Sequence, residues 1–227
     1  MIRTLGVSVL ALLVQSLVIG TTCFAIPAQI VIDTNDPDLL GTTAGGEFGV
    51  EAVGTRERLF ESFCIETNEL ISNNGVYWTE ISDRASFGGS GGPNPDPIAA
   101  ETAYIFKKWW DNDGFDATGD SLVTDEDANV VQWAIWTIEQ ESFTGPTSDQ
   151  LDDVNDLIAD AVAHNTGSIG GVRVMQLWTH QTLRDSAHKA QDQLTVVPEM
   201  SSVLLWGTIG GVFATGCWFR RRRRIPR

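Results

Sequence analysis

Basic residues are scarce through most of this 227-residue chain. Residues 26–197 contain 8 Lys+Arg against 29 Asp+Glu, which gives that stretch a net charge of −21. Binding to nucleic acid requires a cationic surface, so this acidity argues against DNA or RNA as a partner. The other basic residues are Arg3 near the start, and a run at 220–224 followed by Arg227 at the end. Their positions favour a role in targeting.

Cysteine is also scarce, with three residues in the chain. Cys23 and Cys217 lie within the apolar segments near the two ends, so Cys64 is the one cysteine of residues 26–197. A single cysteine cannot form a disulfide within its own domain. Three interpretations remain: an inert buried side chain, a catalytic nucleophile, or a sulfur held in a covalent bond other than a disulfide.

The first 25 residues predict a secretory signal peptide. Arg3 supplies the positive start, 5–19 is an apolar stretch, and Cys23-Phe24-Ala25 offers small residues at the two positions that signal peptidase recognises. We therefore expect cleavage after Ala25. An uncleaved N-terminal anchor is one alternative. A lipoprotein signal ending at Cys23 is less favoured, because glycine stands where such signals have a leucine-like residue.

The last 30 residues follow an ordered pattern. Val197-Pro198-Glu199 precedes 19 uncharged residues, 201–219, which are long enough to span a bilayer as a helix. The Arg run at 220–224 follows and is predicted to stay in the cytoplasm. The pattern resembles the PEP-CTERM sorting signal of Gram-negative bacteria, with methionine replacing the second proline of its motif. This resemblance implies processing by an exosortase, initial anchoring in the inner membrane and a location at the cell envelope; a plain tail anchor is the alternative.

Residues 26–197 have a suitable length for one domain with its own hydrophobic core. Alternating and β-branched apolar residues predict strands at 29–33, 59–65, 75–81, 172–178 and 194–197. Helical spacing and capping residues predict helices at 98–110, from a capping box at 124–127 to 139, and from 148 or 149 to about 165. Loops are predicted at the Gly/Pro-rich segment 88–97 and the acidic segment 111–120. Strands at both ends of the domain with a helical middle predict an α+β fold.

Two short motifs surround Cys64 and a glutamine 68 residues later. Residues 63–66 (FCIE) give an aromatic-Cys-aliphatic-acidic segment, and Gln132 lies in 131–136 (VQWAIW) on the second predicted helix. Together they resemble the two signatures of the thioester domain of bacterial surface adhesins, in which the Cys thiol and the Gln side chain are joined. The family more often has aspartate where Glu66 stands and threonine at position 131. The resemblance implies a thioester between Cys64 and Gln132.

The chemistry of a thioester explains these residue types. A thiolate that adds to the Gln132 carboxamide expels ammonia and leaves an acyl group far more reactive than an amide. Nearby donors must stabilise the oxyanion, and a helix must hold the glutamine in place. Aromatic side chains that can exclude water are Phe63, Trp133 and Trp136. An amine would then attack the acyl carbon once, so we expect a covalent adhesin or matrix cross-linker, without a cofactor, and not an enzyme.

Two other functions remain open. A cysteine hydrolase needs a histidine close to Cys64, and His164, His180 and His188 are available, although none lies in a recognised signature. A passive envelope or biofilm-matrix protein would instead keep Cys64 as an inert buried side chain. Glu66 is a candidate to orient the cysteine, and a solvated carboxylate is an equally good interpretation.

The acidic segment 111–120 offers a weak candidate calcium site. Its carboxylates are Asp111, Asp113, Asp116 and Asp120. Hard cations favour several oxygens from one loop, but the glycine stands fourth here and sixth in an EF-hand loop. A solvated acidic loop is therefore the favoured interpretation, and no metal is expected.

Overall fold

The computed structural model describes residues 26–42, 45–88 and 94–197. The predicted signal peptide 1–25 and the predicted membrane helix 201–219 lie outside these residues, as do Pro198 and Glu199 of the sorting motif. Within the described ranges, no helix is both long enough and apolar enough to cross a bilayer.

A six-stranded antiparallel sheet forms the framework of the domain. Among the described residues, ten strands occur in chain order: β1 (Gln29–Asp33), β2 (Gly41–Thr42), β3 (Gly45–Gly46), β4 (Phe48–Ala52), β5 (Arg58–Ser62), β6 (Gly75–Ser82), β7 (Arg84–Ala85), β8 (Asp96–Pro97), β9 (Val172–Trp178) and β10 (Lys189–Val196). The large sheet has the order β10-β9-β6-β1-β4-β5, while β2 pairs with β3 and β7 with β8. Central strand β1 is buried on both faces, with Ile30 and Ile32 in an apolar cluster on one of them.

Three helices lie between β8 and β9 in the chain: α1 (Ala100–Asn112), α2 (Asp125–Ile138) and α3 (Ser148–His164). Helix α2 is the central one, and every residue from Asp127 to Trp136 is buried. A helix that is buried all round must be enclosed by other elements. Here α1, α3 and the small β2-β3 hairpin contact it, so side chains of α2 face the interior in all directions.

The predicted elements agree with the structure in part. Strands stand at both ends of a domain that has its three helices in the middle, and β1 and β9 have the predicted bounds. The predicted strand 59–65 was wrong at its C-terminal end, since β5 ends at Ser62, and the last strand starts at Lys189 rather than at residue 194. Strand β4 was not predicted, although its apolar residues alternate with glycine and glutamate. The predicted loop 88–97 contains the two residues of β8.

The two edges of the sheet meet at one place, which we call the seam: residues 62–65 against 192–194. Just beyond β5, the Phe63 carbonyl accepts from the Leu194 N–H at 2.9 Å, and the Ile65 N–H donates to the Asp192 carbonyl at 3.1 Å. Between these bonds Cys64 forms an antiparallel bridge with Gln193. The seam therefore pairs backbone groups that an open sheet would leave exposed at its edges.

Asp127 ties the start of α2 to the acidic loop. Its Oδ2 accepts from the backbone N–H and hydroxyl of Thr124, completing the predicted capping box. Its Oδ1 accepts from the N–H groups of Ala117 and Thr118 at 2.7 and 3.0 Å. Because Asp127 is fully buried, its loss would leave several donors without partners.

Asp127→Ala is accordingly expected to lower the free energy of unfolding by about 3 kcal/mol, combining a lost cap with buried unpaired donors. Urea unfolding measures the change. The matched control is Asp149→Ala, an exposed first-turn position of α3, for which we expect a change within about 0.5 kcal/mol. An Asp127 effect as small as that of the control would contradict the assigned role.

Candidate functional site

Cys64 lies in the middle of the seam. The backbone bonds of its two neighbours, Phe63 and Ile65, to β10 fix the position of its own main chain. The cysteine is 1% exposed, and both neighbours are also buried. The thiol therefore occupies a rigid position at the interface between the sheet and the helices.

Gln132 faces Cys64 from the middle of α2 and is fully buried. The Cys64 N–H donates to Gln132 Oε1 at 3.1 Å, and Gln132 Nε2 donates to the Cys64 carbonyl at 2.7 Å. The Sγ atom of Cys64 is 3.3 Å from the same Oε1. A primary amide offers one acceptor and two donors, so this two-point pairing fixes the orientation of the carboxamide beside the sulfur. The structure thus brings together the two residues that the motifs predict as partners.

Burial strongly raises the pKa of the Cys64 thiol above its ordinary value. The indole N–H of Trp136 opposes this shift, while the charges of Glu66 and Glu141 add to it. The Trp136 nitrogen has no well-aligned hydrogen-bond partner among the described residues. A Cys64 sulfur that has not bonded to Gln132 is therefore a neutral thiol, unlike the thiolate of an activated cysteine nucleophile.

The three aromatic residues predicted to exclude water occupy different places. Phe63 packs edge-on against Trp109 with ring centroids 5.4 Å apart, so it belongs to the core behind the seam. Trp133 is buried beside Gly145. Trp136 packs against Phe143, at 5.3 Å between centroids. Of the three, Trp136 is the one that lines the pocket adjacent to Cys64, and the water-excluding role of all three stays a prediction.

A pocket of about 430 Å³ opens beside Cys64. Its walls come largely from segments 67–71 and 142–144, which follow the seam and α2 respectively. The lining residues are Thr34, Phe48, Cys64, Thr67, Glu69, Leu70, Ile71, Trp136, Ser142, Phe143, Thr144 and Gln191. Gln132 is not among them, so a molecule in this pocket would meet the cysteine side of the pair first.

A buried ionic cluster lies next to the seam. Lys189 Nζ is 2.9 Å from Glu66 Oε2 and also contacts Glu69 Oε1; the lysine side chain is 4% exposed. Asp192 completes a group of three carboxylates whose oxygens lie within 4.8 Å of one another. Burial raises the pKa of Glu69 to about 9 and of Asp192 to about 7. Lys189 supplies the cation of this cluster. It binds the carboxylate of Glu66, the candidate to orient Cys64.

The four carboxylates of the candidate calcium site do not converge. Within the described ranges, no three of Asp111, Asp113, Asp116 and Asp120 bring ligand atoms within 4.8 Å of one another. Asp116 instead accepts from the backbone N–H groups at 119–121, and Asp111 pairs with Lys107. The predicted loop start at 111 was wrong, since α1 continues to Asn112. The rest of the acidic segment is a loop closed by hydrogen bonds to Asp116, which lower the pKa of that carboxyl group.

The three histidines of the hydrolase alternative lie away from the thiol. His164 pairs with Asp160 at the end of α3, and the rings of His180 and His188 contact each other at 5.4 Å between centroids. None of them is among the described residues that line the pocket beside Cys64. The described residues therefore do not form a Cys–His pair.

Comparison with known proteins adds a structural likeness. No family model matches the sequence, and no curated protein matches it. The solved structure of the N-terminal thioester domain of fibronectin-binding protein SfbI from Streptococcus pyogenes aligns with a TM-score of 0.46 at 11% sequence identity. The alignment covers 75% of this chain and 94% of that chain.

Proposed function

We propose that Cys64 and Gln132 form an intramolecular thioester through which the protein captures an amine-bearing molecule covalently at the cell surface. One observation carries the proposal: a buried carboxamide is clamped by two hydrogen bonds to the backbone of the cysteine whose sulfur lies 3.3 Å away. Holding two reacting groups together in this way removes much of the entropic barrier to their reaction.

Thioester formation requires attack of the Cys64 sulfur on the side-chain carbonyl carbon of Gln132. Negative charge then develops on Oε1, and the Cys64 N–H already donates to that atom at 3.1 Å. A fixed backbone donor aimed at a developing oxyanion stabilises the transition state. The C–N bond breaks as the thiol proton passes to the departing nitrogen, so one ammonia molecule leaves.

Capture reverses the role of the sulfur. The nitrogen of an incoming amine bonds to the acyl carbon, the C–S bond breaks, and the electron pair returns to Cys64. Because burial raises the thiol pKa, the sulfur leaves as a thiol once it takes a proton from the nitrogen. The amide that forms is far less reactive than the thioester, so each molecule is expected to react once, as a covalent adhesin or matrix cross-linker rather than an enzyme.

Location and partners follow from the predicted signals at the two ends. We infer export, processing by an exosortase and membrane anchoring through 201–219 at the envelope of a Gram-negative bacterium. The partner is an amine-bearing surface molecule or a matrix component, and the net charge of −21 over 26–197 favours a cationic one. A passive envelope or biofilm-matrix protein is the second candidate, because a cysteine 1% exposed also suits an inert core side chain.

Amine uptake tests the proposal. Residues 26–197, incubated with methylamine, are expected to gain one methylamine per chain on the Gln132 side chain. One thiol at Cys64 should become titratable at the same time. Intact-mass and peptide mass spectrometry measure both changes. Cys64→Ala should take up none, and uptake by that variant, or labelling of another glutamine, would contradict the mechanism.

A further inference from the structure

The two walls of the pocket beside Cys64 are joined to each other by hydrogen bonds. Thr67, on the wall 67–71, donates its backbone N–H and its hydroxyl to Glu141 Oε2 at 3.0 and 2.8 Å. The same hydroxyl is 3.1 Å from the carbonyl oxygen of Ser142, on the wall 142–144. We call Thr67 and Glu141 the strap, because their bonds cross from the segment after the seam to the segment after α2.

Both ends of the strap are anchored in regular structure. Thr67 follows Ile65, whose N–H is bonded to β10 at the seam. At the end of α2, the Glu141 N–H donates to the Trp136 carbonyl at 2.8 Å across Gln140, which has a left-handed φ of 61°. This is the Schellman arrangement, which fixes the first residues beyond a helix. Glu141 is also buried, so water competes little for the bonds of the strap.

The strap lies close to the reacting cysteine. Cys64 and Thr67 are three residues apart in the chain, and both line the pocket. Trp136 connects the thiol to the opposite wall, since its indole N–H is near enough to counteract the rise in the thiol pKa and its ring packs against Phe143. An amine that enters by this pocket therefore passes between walls that the strap holds together.

The pocket favours a thin apolar group behind the amine nitrogen. Its volume of about 430 Å³ is toward the small end for ligand sites, and Phe48, Ile71 and Phe143 supply apolar lining. A branch next to the nitrogen widens the part of an amine that must come closest to the acyl carbon. We propose that the strap makes the thioester selective for unbranched primary amines over amines branched at the carbon next to nitrogen. This inference rests on the thioester function proposed above.

The strap discriminates between amines through the free energy needed to open it. An unbranched amine reaches the thioester while the walls are joined, whereas a branched amine reacts only with molecules in which the bonds of the strap have broken. The rate for the branched amine is therefore reduced by the open fraction. Hydrogen bonds to a carboxylate are stronger than those between neutral groups, which keeps this fraction small. The chemical step is the same for both amines: the nitrogen bonds to the acyl carbon and the sulfur leaves as a thiol.

The test compares n-propylamine with isopropylamine, two primary amines of similar basicity that differ in branching. Thr67→Val removes the hydroxyl but keeps the volume of the side chain. We expect its rate of thioester loss with isopropylamine to rise about 10-fold, which corresponds to about 1.4 kcal/mol, the order of one hydrogen bond. The rate with n-propylamine should change little. Release of the Cys64 thiol and intact mass measure both rates.

Two further variants separate the hydroxyl from the bulk of the threonine. Thr67→Ser keeps the hydroxyl and should keep the wild-type preference. The matched control, Thr34→Val, makes the same change at another threonine of the pocket, whose hydroxyl is 3.4 Å from the Asn35 side chain, and should leave both rates unchanged. A preference lost in Thr67→Ser but kept in Thr67→Val would assign the selectivity to the methyl group and overturn the inference.

Equal gains with the two amines in Thr67→Val would mean a general loosening of the site, and no gain with either would mean that the strap does not control entry; both results contradict the inference. If Thr67→Val does not form the thioester, the wild-type protein still provides a test. Its preference for n-propylamine over isopropylamine should exceed that of a simple alkyl thioester in free solution, and an equal preference would refute the inference. A wild-type protein without any thioester would contradict the proposed function itself, and intact mass distinguishes that failure from the others.

Discussion

The unreacted wild-type domain is expected to weigh one ammonia molecule less than its sequence specifies, and Gln132→Met is expected to have its full mass. The expectation follows from the clamped carboxamide, since the Cys64 sulfur lies 3.3 Å from Oε1, the oxygen bonded to the carbon that it must attack. The loss of ammonia should be near complete in the protein population, because burial of Cys64 and Gln132 limits the access of water that would hydrolyse the thioester. Intact mass after gentle, fresh preparation measures it.

Gln193 provides the sharpest control for this experiment. It lies opposite Cys64 in the seam, is fully buried, and its Oε1 has no partner among the described residues. It is therefore the other glutamine that could be confused with the reacting one. Gln193→Met should still show the loss of ammonia relative to its own sequence, whereas Gln132→Met should not. Full mass and a titratable thiol in the wild-type protein would instead favour the inert-cysteine alternative.

Lys189→Met is expected to lower the free energy of unfolding at neutral pH by about 3–5 kcal/mol. The lysine side chain is 4% exposed and contacts two carboxylates, of which Glu66 is 2% exposed. Methionine fills similar volume but leaves those carboxylates buried without a cation. Breaking a buried ion pair from one side is costly because the remaining charge has neither water nor a partner.

The loss of stability in Lys189→Met is expected to depend on pH, and the pKa values of the carboxyl groups fix its direction. Glu69 and Asp192 have folded-state pKa values raised to about 9 and about 7, so the folded state binds more protons than the unfolded state between pH 4 and those values. Stability therefore falls as pH rises through this range. Removing Lys189 raises these pKa values further, so the deficit of the variant should be smaller near pH 5 than near pH 8. Urea unfolding at the two pH values measures the difference.

Lys107→Met is the matched control, because Lys107 forms an exposed pair with Asp111 four residues later on α1. Such pairs contribute about 0.5 kcal/mol or less. If the two lysine variants lost similar stability, or if the deficit of Lys189→Met grew toward low pH, the assigned ionic cluster would be wrong.

The sequence predicts those parts of the fold whose physical basis is local. Strand β9 begins with the alternation Val, Arg, Val, although every residue of it except Arg173 is buried. The capping box at Thr124 and Asp127 depends on residues three apart, so both could be recognised. Strand β10 was recognised only from residue 194. Its earlier part contains the buried polar residues Gln191, Asp192 and Gln193. Gln191 donates to the Glu66 carbonyl and Asp192 accepts from the Ser86 N–H, so the partners of these two side chains lie far away in the chain.

In the candidate site too, the sequence predicts only those features that a local motif marks. Cys64 and Gln132 could be paired from sequence because two short motifs mark them. The pocket and the ionic cluster could not be predicted, since Lys189 is 123 residues from Glu66 and no local pattern connects them. Glu69 lies in no motif, so its place in the pocket wall and its contact with Lys189 could be learned only from the structure.

The 68-residue separation between Cys64 and Gln132 has a mechanical consequence. Under the proposed chemistry, the thioester staples α2 to the seam and closes a loop of that length, which by chain entropy stabilises the fold by about 4 kcal/mol. Amine capture breaks this internal cross-link and replaces it with a bond to the partner. The protein with an intact thioester is therefore the more stable form, and the protein attached to its partner unfolds more readily on heating or under mechanical force.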